Sequence, residues 1–154
     1  MHHVIIGGGP AGVIAAETIR KQAPYDNITI VSDEAVPAYS RMAIPYLLMG
    51  NVKEDGTYLR KDPSHLKNQH VNWVQASVKH IDIAIAIKKI ALDSGVEIAF
   101  DTLLIASGSH PIKPPIPGID SEGVHTCWTL ADARAIAERA KTDAEVKGVV
   151  ITSG

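Results

Sequence analysis

Residues 4–12 read Val4-Ile5-Ile6-Gly7-Gly8-Gly9-Pro10-Ala11-Gly12, and this stretch decides the fold. A short apolar run enters a glycine cluster, and beyond it Val13, Ala16, Ile19 and Ala23 recur at helical spacing. The order is strand, tight turn, helix. Pro10 suits the first helical turn, where a missing N–H costs nothing, and Pro24 with Asp26-Asn27 supplies the stop. Ile28, Ile30 and Val31 form a second strand, which completes a strand-helix-strand unit.

The spacing Gly7-x-Gly9-x-x-Gly12 gives each glycine a separate task. Gly7 allows the tight turn, Gly9 lets a pyrophosphate approach the backbone, and Gly12 lets helix and strand pack closely. Pro10 and Ala11 open the helix, whose N-terminal N–H groups and partial positive charge favour an anion. Glu34 lies 22 residues beyond Gly12, just after the second strand. There a carboxylate would accept hydrogen bonds from a ribose hydroxyl; Asp33, one position earlier, is the competing acid. The plain alternative is a glycine turn that binds nothing.

Outward from this unit, residues 33–41 are loop-like and the apolar pattern from Met42 to Gly50 predicts a helix starting near Pro45. Residues 55–69 predict a loop with a short helix from Asp62, and residues 71–74 a strand. Ile81, Ile83, Ile85 and Ile87 alternate as one sheet face. That pattern continues through residues 88–92 to a turn at Asp93-Ser94-Gly95, from which residues 96–100 run back as a hairpin partner. The unbroken apolar run Thr102 to Ala106 predicts a strand buried on both faces. Pro111, Pro114, Pro115 and Pro117 crowd into seven residues and form a stiff linker. Thr129 and Asp132 resemble a capping box that opens a helix over residues 130–141, and Lys147 to Gly154 is a strand running into a glycine.

The 154 residues suit one compact domain, and 45% apolar with 21% charged residues argues for a packed core over disorder. A net charge of -2 without a run of like charges disfavours nucleic acid and a membrane surface as partners. No stretch approaches the roughly 20 apolar residues of a membrane span. Cys127 is the only cysteine, so no internal disulfide or cysteine zinc site can form, and a reducing, cytoplasmic compartment fits. The seven histidines lack HxxxH or HExxH spacing, so each reads as solvated or packed and no metal is expected. Cys127 reads as a small buried hydrophobe, and Trp73 and Trp128 as core anchors.

Four segments together carry a family resemblance: residues 4–12; residues 28–34 leading to Tyr39-Ser40-Arg41 and Leu48-Met49-Gly50; Phe100-Asp101-Thr102-Leu103-Leu104-Ile105-Ala106-Ser107-Gly108; and Ile116-Pro117-Gly118 with Thr129-Leu130-Ala131-Asp132-Ala133. In that order they resemble the FAD-binding portion of the pyridine nucleotide-disulfide oxidoreductase superfamily. The likeness is greatest to the NADH-dependent rubredoxin and ferredoxin reductases and to the flavin portion of assimilatory nitrite reductases. The resemblance implies an α/β fold, a Rossmann-like FAD-binding domain with a parallel sheet plus a β-meander, truncated at the start of a second nucleotide-binding domain. Residues 1–118 would be the incomplete FAD-binding domain. Residues 119–154 would be a linker helix and the first strand of a truncated NAD(P)-binding domain. FAD would be the cofactor and NAD(P)H the electron donor, through a domain this chain lacks.

By the same resemblance Arg41 would lie near the flavin diphosphate, although a solvated loop arginine is the plain alternative. Val78 and Ala106-Ser107-Gly108 join Gly7, Gly9, Pro10, Ala11, Gly12, Asp33 and Glu34 as cofactor-binding candidates; a strand-end turn is an equal reading of residues 106–108. The cysteines of the disulfide reductases, and the single one that related oxidases carry near Met42, are missing here, which disfavours thiolate chemistry. Where many ferredoxin reductases have a Ser-Lys pair stands Pro45-Tyr46. The expected activity is an FAD-dependent NAD(P)H oxidoreductase passing electrons to a redox protein or centre, with no catalytic acid, base or nucleophile evident in the chain. The alternatives are a flavin NADH oxidase or an enzyme like the CoA-disulfide reductases, and a non-catalytic nucleotide-binding module or truncated gene product. The unpaired terminal strand predicts either self-association into a homo-oligomer or a disordered tail, and little retained flavin.

Overall fold

The computed structural model describes residues 1–83 and 87–142. The expected strand from Lys147 to Gly154 lies outside the described residues, as does Ile85. The chain divides into two compact units, one formed by Met1–Tyr39 and Tyr58–Gly108, the other by Ser40–Thr57 and Ser109–Gly154.

The first unit is built on the strand-helix-strand module. β1 (His2–Ile6), α1 (Pro10–Gln22) and β2 (Asn27–Ser32) follow in order, with β1 and β2 parallel. β3 (Val71–Gln75) adds beside β2 and β7 (Thr102–Ile105) beside β1, giving a parallel sheet of order β3-β2-β1-β7. Between β3 and β7 the chain makes an antiparallel meander of β4 (Val78–Asp82), β5 (Lys89–Leu92) and β6 (Glu97–Ala99). Alternation along β1 sorts the two faces of the parallel sheet. Val4 joins Val31, Ile90, Leu92 and Phe100 under the meander. Ile5 joins Ala16, Ile28, Ile30 and Val71 on the opposite face, packed on α1 and on Leu66 of the short α3 (His65–Asn68). The mixed α/β architecture is the expected one: a parallel sheet with a helix on one face and a meander on the other.

Two expectations give way. Among the described residues, the run from Thr102 is an outer strand of the parallel sheet, and Leu104 and Ile105 are 40% and 61% exposed. The strands enclosed on both faces are the inner ones: β1, at Val4 and Ile5, and β2, in which Thr29 and Ser32 are buried with the apolar residues. Thr29 meets the ring of His2, 2.9 Å from its Nε2. Composition marks apolar length, whereas enclosure depends on a strand's place in the sheet. The isoleucine alternation also fails to form one face. β4 ends at Asp82, which pairs with Lys89, so the chain reverses direction between them. Ile83 and Ile87 are exposed. No glycine, proline or asparagine announces that reversal, which the pairing with β5 imposes.

In the second unit, 3₁₀ turns at Arg41–Ala43 and Glu54–Thr57 flank α2 (Ile44–Leu48), which packs on α4 (Leu130–Thr142). The predicted capping box is present in both directions. Asp132 N–H donates to Thr129 Oγ1 at 3.1 Å, and Thr129 N–H donates to Asp132 Oδ2 at 3.0 Å. Residues 111–118, with their four prolines, are exposed and without regular structure. Among the described residues, no helix is long and apolar enough to cross a membrane.

Candidate functional site

The glycine turn joins β1 to α1, and its four glycines occupy different surroundings. Gly7 has φ +114, donates to Val31 O at 2.8 Å, and would place a Cβ 2.2 Å from Ala106 O. A Cβ on Gly8 would meet the Trp73 ring at 2.3 Å, and one on Gly12 would lie 2.0 Å from Gly7 O. These three positions are filled by the protein itself. Gly9 differs: its backbone is extended, with φ -76 and ψ -173, and no atom lies within 4 Å of where a Cβ would stand. Neither conformation nor packing asks for glycine there. Gly9 is also the N-cap of α1. No side chain caps it, and no acid stands in the first turn, which Pro10 and Ala11 open. Neither a capping side chain nor a first-turn acid therefore offsets the partial positive charge of this helix end.

The structure brings residues 106–108 to the same turn. Ala106 N–H donates to Ile6 O at 2.7 Å, its carbonyl lies against Gly7, and Gly108 turns the chain with φ +71. Beyond β2, Asp33 is exposed and Glu34 half-buried. Ala76 N–H donates to Ser32 O at 2.9 Å, so the chain leaves the parallel sheet beside these acids before Val78, half-buried, begins β4. Sequence reasoning missed two residues here. Gly8 must be glycine because Trp73 occupies its side-chain space, and Tyr39 donates from its hydroxyl to Glu34 Oε2 at 2.6 Å. The first had a signal in the unbroken Gly7-Gly8-Gly9. The second stood only within the Tyr39-Ser40-Arg41 segment, with nothing there to pair it with Glu34, because only folding returns Tyr39 to Glu34.

Glu34 and residues 35–38 line a cleft of about 440 Å³ whose other walls include Trp73, Arg60 and His65. Arg60 donates through Nε and Nη2 to the two carboxylate oxygens of Glu17 on α1, at 2.8 and 2.6 Å, and His65 Nε2 lies 2.8 Å from Oε1. The Arg60 hydrogen bonds, against the opposing effect of burial and with help from His65, hold the Glu17 carboxyl below its ordinary range. His65 is therefore neither a solvated nor an apolar-core histidine. Among the described residues, no group of three His, Cys, Asp or Glu is arranged to hold a metal ion.

In the second unit the Arg41 guanidinium stacks over Trp128, 4.9 Å from the ring centroid. Trp128 is half-buried, its backbone N–H donates to Asp132 at 2.9 Å, and its indole Nε1 is buried with no partner among the described residues. Trp128 thus supports an arginine instead of anchoring a core. Cys127 is only half-buried, yet burial, then the nearby Asp132 charge, pushes its thiol up. That environment opposes a thiolate. Met42 is exposed and carries no thiol.

These features fit an adenine dinucleotide: an uncapped helix end, open space over Gly9, and an acid after β2. The sequence profile described as Pyridine nucleotide-disulphide oxidoreductase matches residues 1–154. An NADH oxidase of Methanocaldococcus jannaschii is 32% identical over 158 residues, covering 100% of this chain and 35% of the relative. The ferredoxin–NAD(+) reductase component of the biphenyl dioxygenase system of Paraburkholderia xenovorans is 33% identical over 135 residues, covering 87% of this chain and 32% of its own. The solved NAD-dependent persulfide reductase of A. fulgidus superposes with a TM-score of 0.82 at 32% identity, over 92% of this chain and 28% of that one. The chain therefore spans about a third of the length of the curated relatives it matches.

Proposed function

Because the chain belongs to the pyridine nucleotide-disulphide oxidoreductase family, we propose that it is the FAD-binding portion of an NAD(P)H-dependent flavoprotein reductase whose electrons pass to a redox protein or centre. Bound FAD would supply the redox chemistry, taking a hydride from the nicotinamide and releasing electrons to the acceptor. The residues of this chain bind and orient it. The diphosphate would lie over Gly9 at the N-terminus of α1, where backbone N–H groups face it. Glu34 would accept from the adenosine ribose, while Ala106, Ser107, Gly108 and Val78 would shape the surrounding backbone. Arg41, steadied by Trp128, would offer its planar fork of donors to anionic oxygens. Residues 1–118 would form the flavin domain and residues 119–154 the lead into a nicotinamide domain.

The observation that carries this reading is the open space at Gly9, the one glycine of the turn that the protein does not itself fill. Gly9→Ser separates binding from folding. Serine is a good N-cap and should hold α1 at least as well as glycine, while its side chain stands where the diphosphate must lie. FAD titration followed by flavin fluorescence should show at least about a tenfold loss of affinity, equivalent to about 1.4 kcal/mol, with an unchanged or raised melting temperature. Equal FAD affinity in the variant and the parent would overturn the reading.

A further inference from the structure

We infer that Tyr39 is a positioning residue for nucleotide binding: its hydroxyl aims the Glu34 carboxylate at a ribose diol. This rests on the nucleotide reading of the glycine turn and goes beyond it by assigning a residue that does not itself touch the ligand. Tyr39 is 5% exposed and donates to Glu34 Oε2 at 2.6 Å, the short distance of a hydroxyl bonded to a charged acceptor. Its backbone is held as well as its ring. Tyr39 forms an antiparallel bridge with Tyr58, and Leu59 N–H donates to Ala38 O at 2.8 Å. A two-stranded clamp therefore fixes the phenol five residues after the acid it holds.

Glutamate has three rotatable side-chain bonds, and an acid left to turn in a half-open cleft must be ordered when the ligand arrives. Tyr39 does that ordering in advance, which is where preorganisation gains affinity. A carboxylate accepts up to about four hydrogen bonds, so the bond from Tyr39 is compatible with acceptance from a diol. The geometry also explains why Glu34, and not the exposed Asp33, is the acid in the cleft wall.

The test is calorimetric binding of ADP and of 2′,3′-dideoxy-ADP to the parent chain, Tyr39→Phe, Glu34→Gln and the double variant. Tyr39→Phe keeps the buried ring and removes one hydroxyl. It should weaken ADP about threefold to tenfold, leave dideoxy-ADP unchanged, and add nothing once Glu34 is Gln. Equal weakening of both ligands would mean a purely structural role and would overturn the inference, as would unchanged ADP affinity. A parent chain that binds ADP no better than dideoxy-ADP would remove Glu34 as the ribose acid and Tyr39 with it. A parent chain that binds neither nucleotide would defeat the nucleotide reading itself, a result distinct from failure of the Tyr39 variant alone. Melting temperatures of all four proteins report any loss of fold separately from these affinities.

Discussion

At the scale of single residues, the four glycines of one turn should respond to the same substitution in opposite ways. Gly12→Ala would set a Cβ 2.0 Å from the Gly7 carbonyl, a backbone atom that cannot step aside without breaking the contact of α1 with β1. It should cost about 3 kcal/mol or more by denaturant unfolding, the range of severe overpacking. Gly8→Ala meets the edge of a side chain, and Trp73→Leu should recover part of its loss. Gly9→Ala meets nothing and should change stability by no more than about 1 kcal/mol, the size of an N-cap effect. A motif that looks uniform in sequence thus separates into positions serving the fold and one facing a ligand.

The elements are tied by polar contacts that cross them. Glu17 on α1 is joined to Arg60 and to His65 of α3, and its carboxyl is held below its ordinary range. A depressed folded-state value means the contribution is complete above the unfolded carboxyl range. It is then lost as pH falls through the lower folded value. Thermal melts should therefore show stability falling away below about pH 4.5, and Glu17→Gln should flatten that limb while lowering the plateau near neutrality. An unchanged acid limb in the variant would assign the loss to other carboxylates. For α4, Thr129→Ala removes one half of the reciprocal cap and should cost about 1 kcal/mol in the same melts.

At the scale of the whole molecule, β7 is the last strand of the parallel sheet among the described residues, with Leu104 and Ile105 exposed, and an apolar strand at a sheet edge invites pairing with a further strand. If that edge pairs with another copy, sedimentation of the parent chain should show concentration-dependent association that Ile105→Lys reduces while the melting temperature stays within a few degrees; a parent chain that stays monomeric at every concentration would exclude the pairing. Strand, turn and helix at residues 2–22, the acid after β2 and the capping box at residue 129 were all legible in the sequence. Each is a local matter of backbone conformation, spacing and near-neighbour hydrogen bonds. Only the tertiary structure decided that β1 and β2 rather than β7 are enclosed, that the isoleucine run turns back at Asp82, that Tyr39 returns to Glu34, and that Arg60 reaches Glu17. The sheet order and the Arg60 contact depend on segments that meet across dozens of residues, and even the short returns at Asp82 and Tyr39 are set by pairing with β5 and by the bridge to Tyr58. No periodicity records that, because it is set by how the elements bury one another's faces.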